Sequence, residues 1–186
     1  SETFDLGAKF GLFDNALGLS GSVFQVSKSN AAQVDPTTGD VTLQSGQRQR
    51  VRGFEASASG EVLPHLNLTA AYTYLDAIVT RDLTCGAATP VVCKLNPYTT
   101  GKPVYFVPRN AASVWADYNA RDLLPGLSFG GGVVYQSRLV NSFQTSGTAP
   151  DPTGYSRIAV IPETVELDAV AAYQLNNLRF QLNVNN

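Results

Sequence analysis

Residues 164–185 read TVELDAVAAYQLNNLRFQLNVN, two alternating runs that meet at an Asn-Asn pair. In the first, Val165, Leu167, Ala169, Ala171, Tyr173 and Leu175 share one parity, while Glu166, Asp168 and Gln174 hold the other. In the second, Leu178, Phe180, Leu182 and Val184 alternate with Arg179, Gln181, Asn183 and Asn185. Successive side chains of a strand point to opposite faces, so each run is a strand with one oily and one wet side. Asn176-Asn177 supplies the turn chemistry between them.

The same unit recurs upstream. Thr3 to Leu12 and Ala16 to Ser29 flank Asp14-Asn15. Gln47 to Gly60 and Leu66 to Ile78 flank the stretch Glu61 to His65, which contains Pro64. Asn110 to Ala120 and Leu127 to Val140 flank Arg121 to Gly126. Between the units run three long links, Asn30 to Gly46, Val79 to Val107 and Asn141 to Val160. Strands of about 9–11 residues joined by alternately short and long links are the pattern of a transmembrane β-barrel. The expectation is an all-β, antiparallel wall of about eight strands, with periplasmic short turns and extracellular long loops.

Composition agrees with that reading. Mean hydropathy is only −0.05, as it must be when half of every strand is polar. No apolar run is long enough for a transmembrane helix. Charged residues make up 15% and net charge is −2, which speaks against nucleic acid as a partner. Eight Tyr and nine Phe suit aromatic girdles at the two membrane interfaces. No linker divides the chain, so one domain is expected.

Little here supports catalysis. His65 is the single histidine, and a Ser-His-Asp site would have to be built around it in a short turn. Glu166 and Asp168 lie two apart on the wet face, where a wall facing water or another polar surface accounts for them. No phosphate-cradling loop or metal-ligand spacing occurs, so neither a cofactor nor a metal is expected. Cys85 and Cys93 lie close together in the longest link, and such a pair favours a disulfide in an oxidising compartment.

A family resemblance enters at Arg50-Val51-Arg52-Gly53-Phe54-Glu55, followed by Gly60-Glu61-Val62-Leu63-Pro64 and then by Leu66 through Tyr72-Thr73-Tyr74. These motifs resemble the barrel of TonB-dependent outer-membrane receptors, the siderophore-receptor branch in particular. Val107-Pro108-Arg109-Asn110, Trp115-Ala116-Asp117-Tyr118, Gly130 through Tyr135, Ile161-Pro162 and Leu182 through Asn186 resemble later barrel strands in the same order. The resemblance implies about eight strands of a larger barrel, from a transporter for ferric siderophores in the outer membrane of a Gram-negative bacterium. It implies a plug domain and a TonB box, which this sequence does not contain, and a final strand beyond Asn186. The implied partners are a ferric siderophore, the TonB system acting through the plug segment, and outer-membrane lipid with lipopolysaccharide. The alternative from another class is a small closed eight-stranded barrel serving as an anchor or adhesin.

Two groups of candidate residues follow. Arg48, Arg50 and Arg52 share the parity of Phe54, Ala56 and Ala58. Without a bulge they point outward just above the bilayer, where guanidinium groups bind lipopolysaccharide phosphates or pair with carboxylates of neighbouring strands. Tyr98, Tyr105, Phe106, Arg109, Arg138 and Phe143 lie in or beside the long links. The resemblance makes them candidates for the aromatic and basic lining of an external ligand vestibule.

Overall fold

A computed structural model describes residues 1–29, 32–34, 41–43, 47–85, 93–95, 99–143 and 158–186. The strands are β1 (Glu2–Leu12), β2 (Leu17–Ser29), β3 (Ala32–Val34), β4 (Val41–Leu43), β5 (Arg48–Leu63), β6 (Leu66–Arg81) and β7 (Leu83–Cys85). They continue as β8 (Cys93–Leu95), β9 (Asn110–Asn119), β10 (Leu127–Gln136), β11 (Leu139–Phe143), β12 (Ile158–Ile161), β13 (Thr164–Leu175) and β14 (Leu178–Asn185). Eight of them form one antiparallel meander in the order β1-β2-β5-β6-β9-β10-β13-β14. The other six pair as short ribbons, β3 with β4, β7 with β8 and β11 with β12, all at the end that carries the long links.

Register makes the alternation two-dimensional. Leu6 lies opposite Val23, Val23 opposite Phe54, and Phe54 opposite Tyr74. Farther along, Ala70 faces Val114, Val114 faces Val133, and Val133 faces Leu167. One apolar face thus runs unbroken across all eight strands. Its large side chains stay open, with Leu6 at 75% and Leu182 at 68% exposure. The opposite face carries Asp5, Lys9, Glu55, Asp117, Glu166 and Asp168. On β6 the apolar stripe runs from Leu66 to Tyr74. Eight steps of about 3.3 Å, tilted about 40°, cover roughly 20 Å, close to the height of a barrel's lipid-facing band. The apolar face is therefore the lipid face and the polar one the lumen wall.

Aromatic residues mark the two edges of this band. At the long-loop edge Phe54 packs against Tyr72 and Tyr74, with ring centroids 5.5 and 5.7 Å apart. The Tyr72 hydroxyl donates to Asn110 Oδ1 at 2.7 Å, an apolar body with a wet tip as an interface requires. At the short-turn edge Tyr118 faces Phe129, and Tyr173 faces Phe180.

The short turns show why the chain reverses where it does. Phe13, Asp14 and Asn15 all take positive φ, 53°, 52° and 67°, conformations that Asn and Asp tolerate better than most residues. His65 has φ 68°, its N–H donates to Glu61 Oε1 at 2.7 Å, and its Nε2 accepts from Arg121 Nη2 at 2.8 Å. It is a turn residue tied to the neighbouring turn. The turn at Asn176-Asn177 falls where the sequence places it, with Asn176 at φ 51°.

Three boundaries differ from the sequence reading by more than one residue. β5 runs to Leu63 rather than Gly60, because its pairing with β6 continues past Gly60, through an irregularity between Glu61 and Leu63, and Pro64 does the ending. β6 continues past Ile78 to Arg81, paired with β5 through a one-residue irregularity at Thr80. The strand expected as far as Val140 breaks at Ser137-Arg138 and resumes as β11. The small closed barrel does not form either: β1 and β14 are both edges of the sheet.

Gly60 gives a direct test of the short-turn edge. Its φ is +145°, and a Cβ there would sit 2.0 Å from the carbonyl oxygen of Ala16. Gly18, by contrast, would place a Cβ 3.6 Å from its nearest neighbour, the Ser59 carbonyl oxygen. In the intact barrel, Gly60→Ala is expected to cost about 1–3 kcal/mol and to lower the fraction of heat-modifiable, folded barrel on electrophoresis. Gly18→Ala should leave that fraction unchanged.

Candidate functional site

The extracellular rim is where the ladder stops being regular. β6 pairs with β9 up to Tyr74 and Asn110, and the Leu75 N–H then donates to the Arg109 carbonyl at 2.8 Å. One step higher, the Val104 N–H donates to the Ala77 carbonyl at 2.9 Å, and Val79 exchanges bonds with Lys102 and Gly101. Residues 105–108 therefore loop out between two main-chain anchors on the same edge of β6. Phe106 turns this loop with φ 58°, and its N–H donates to the Val140 carbonyl, tying the loop to β11.

A recess of about 330 Å³ opens at this loop. Its apolar wall is Leu75, Ala77, Pro103, Val107, Val140 and Val160, and its polar groups are Arg109, Asn110, Ser137 and Arg138. Ala77 and Ser137 are buried, while Arg109 and Arg138 stand exposed. Ser137 Oγ accepts the Asn110 N–H at 2.9 Å, which fixes the floor. Arg109 Nη2 lies 3.6 Å from Asp76 Oδ1, a long contact with both side chains open to water. Exposed pairs of that kind contribute little, so the Arg109 guanidinium remains free to move to a ligand. Arg138 makes no ion pair among the described residues. Two guanidinium groups on an apolar recess suit an anionic ligand with an apolar body.

The six vestibule candidates are thus sorted. Arg109 and Arg138 come together in the recess. Phe106 lies in the looped-out segment and is 59% exposed, and Tyr105 beside it is half-buried. Phe143 ends β11, where only its backbone is described, and Tyr98 lies outside the described residues. Asn110 and Ser137 were not expected from the sequence. Their role comes from hydrogen bonds between the start of β9 and the break after β10, which leave no local signature.

The arginine triplet also divides. β5 stays in register with β2 from Leu17–Gly60 to Ser29–Arg48, so the shared parity of Arg48, Arg50 and Arg52 holds. Arg52 Nε donates to Gln25 Oε1 at 2.6 Å. Arg48 and Arg50 line a separate polar cleft of about 650 Å³ with Ser27, Lys28 and Thr80, and Arg50 Nε is buried there without a hydrogen-bond partner. Among the described residues no group of three or more His, Cys, Asp or Glu side chains could hold a metal ion.

An open-edged, two-faced antiparallel wall with turns on one side and ribbons on the other is part of an outer-membrane β-barrel. The family model described as "TonB dependent receptor-like, beta-barrel" matches residues 1–186. The chain belongs to this family, and its place is the outer membrane of a Gram-negative bacterium. It is 32% identical over 189 residues, all of this chain, to a probable TonB-dependent siderophore receptor, PiuA, of Acinetobacter baumannii. It is 31% identical over 133 residues, 71% of this chain, to the ferrichrome outer membrane transporter/phage receptor of Escherichia coli. The crystal structure of PiuA superposes with a TM-score of 0.70 at 29% identity over 97% of this chain. The chain spans 22% of the first of these relatives and 16% of the second, and 23% of the PiuA structure. The relatives named are receptors and transporters.

The ribbon of β7 and β8 makes one expectation testable. Cys85 and Cys93 are direct partners in its register. Directly opposed residues of an antiparallel pair have Cα atoms about 4.5–5.5 Å apart, inside the range a disulfide spans. Alkylation of the receptor without reductant is expected to label neither cysteine, and both should react once a reductant is added.

Proposed function

We propose that this wall belongs to a receptor that carries a ferric siderophore across the outer membrane and has no enzymatic role. The observation that carries the reading is the match along the whole chain to a receptor named for siderophores. The rim recess supports it from the physical side, because an iron chelate bearing acidic groups fits two exposed guanidinium groups above an apolar floor. In this reading residues 1–186 form one part of a larger barrel domain. The extracellular ribbons hold the chelate over the lumen, and energy arrives from a TonB system acting on a plug segment outside this chain.

The test uses the full receptor in a strain lacking it, with iron uptake measured from a panel of ferric siderophores. Complementation by at least one of them is expected. No uptake from any siderophore by a folded receptor would overturn the proposal. Arg138→Ala is expected to weaken binding of an anionic chelate about 10- to 100-fold, since hydrogen bonds to charged groups contribute about 1.5–3 kcal/mol. A neutral chelate of similar size should lose far less.

The polar cleft above the lipid face supports a second partner, the phosphate groups of lipopolysaccharide. Arg48 and Arg50 set two cations against the single carboxylate of Glu2 there. Arg52, already held by Gln25, contributes less. The double change Arg48→Gln with Arg50→Gln should lower lipopolysaccharide co-purification several-fold, and Arg52→Gln should leave it near the starting level. Equal amounts of lipid on all three proteins would sink the assignment.

A further inference from the structure

The two anchors of the 105–108 loop are unequal. The lower one, the Leu75 N–H on the Arg109 carbonyl, continues the ladder of β6 and β9. The upper one has no ladder behind it. Residues 101–104 lie along β6 through three main-chain bonds. Gly101 N–H donates to the Val79 carbonyl at 2.7 Å, Val79 N–H to the Lys102 carbonyl at 2.9 Å, and Val104 N–H to the Ala77 carbonyl at 2.9 Å. Pro103, bridged to Ile78, has no N–H to add. This end of the sheet stands in water, where ordering a residue costs about as much as a hydrogen bond returns. These bonds therefore do not hold the segment by themselves.

The remainder comes from a turn gripped by Asp82. Lys102 N–H donates to the Thr99 carbonyl at 3.1 Å, and Gly101 has φ 81°, the left-handed position of such a turn. Asp82 stands between β6 and β7 and is 2% exposed. Its Oδ2 accepts the Thr99 hydroxyl, and its own N–H donates to Thr100 Oγ1 at 3.2 Å. A carboxylate is costly to bury unless its oxygens accept hydrogen bonds, so Asp82 and the turn depend on each other. The turn then delivers Gly101 to Val79, and the run along β6 carries Pro103 into the wall of the recess. Val107 and Arg109 follow in the same wall. Asp82 itself does not line the recess.

We propose that Asp82 is a positioning residue for ligand binding at the rim: through Thr99 and Thr100 it holds residues 99–104 on β6 and so fixes the recess wall beside Arg109 and Arg138. The assignment rests on the reading of that recess as a chelate site. The test uses the full-length protein purified in detergent, with two readouts. One is amide hydrogen exchange of the 99–107 segment without ligand, read by mass spectrometry. The other is binding of a hexadentate ferric tris-catecholate, an anion with aromatic rings. Asp82→Ala is expected to speed exchange in 99–107 and to weaken binding, each about tenfold, for loss of a hydrogen bond to a buried charge. Thr99→Val should do the same, and the double change should be no worse than either alone, because all three remove one bond. Asp82→Asn keeps an acceptor for the Thr99 hydroxyl and should restore both readouts to near the starting level. Arg138→Ala should weaken binding and leave exchange unchanged. Heat-modifiable migration identifies folded variants; should Asp82→Ala fail to fold, Thr99→Val carries the test. Unchanged exchange in the folded variants, faster exchange with undiminished binding, or additive effects in the double change would each overturn the proposal. Failure of the unaltered protein to bind the chelate would count against the recess reading, and exchange alone would then decide the clamp.

Discussion

Inside hydrocarbon every backbone N–H and C=O must find a partner within the protein, and that constraint organises this chain. The meander meets it strand by strand, with thirteen consecutive register pairs between β2 and β5 alone. Side chains then have only two directions left, toward lipid or toward the lumen. Alternation is the consequence of that choice. It also explains why the wall has no core of its own: among the described residues the buried apolar side chains are Ala77, Val79, Ala120 and Ala172. The bilayer takes the place of a core, and the large side chains of the lipid face remain open because lipid covers them.

Where the chain leaves the hydrocarbon the constraint lapses, and irregular geometry becomes affordable. The two ends use that freedom differently. At the short-turn end, left-handed residues and a close approach at Gly60 keep the links brief. At the other end, the ladder between β6 and β9 opens after Leu75, the chain loops out at 105–108, and a recess forms in the gap. The rim site is thus a product of broken pairing. Its two arginines come from segments about thirty residues apart, joined by the bond between Phe106 and Val140.

How much of this was legible depends on whether the information was local. β13 and β14 match the sequence reading residue for residue, because strict alternation and an Asn-Asn turn lie within one window. β5 was cut short because Gly60 looks like a terminator when its packing against Ala16 is unknown. Parity put Arg48, Arg50 and Arg52 on one face correctly. It carried no information on which of them is already engaged, since Gln25 reaches Arg52 from another strand. Loop candidates were the least legible, because the links carry neither period to follow. Tyr105, Phe106, Arg109 and Arg138 could be chosen only by residue type, and only the last two line the recess.

The three consecutive glycines show the same limit from the other side. In sequence, Gly130-Gly131-Gly132 marks a strand where backbone comes close to something, without saying what. Register supplies the answer. Gly130 and Gly132 face the lumen beneath the Trp115 ring, whereas Gly131 faces lipid between Ala116 and Ala169. Each of the two lumen-facing glycines leaves the space a side chain would take; the indole fills that at Gly132 and shares that at Gly130 with Asp117 and Val170. A bulky residue at either position would push the ring into the lumen and narrow the space enclosed by the barrel. The glycines thus set the inner profile of the wall, and the tryptophan gives that profile a flat aromatic surface where the lumen face is most acidic.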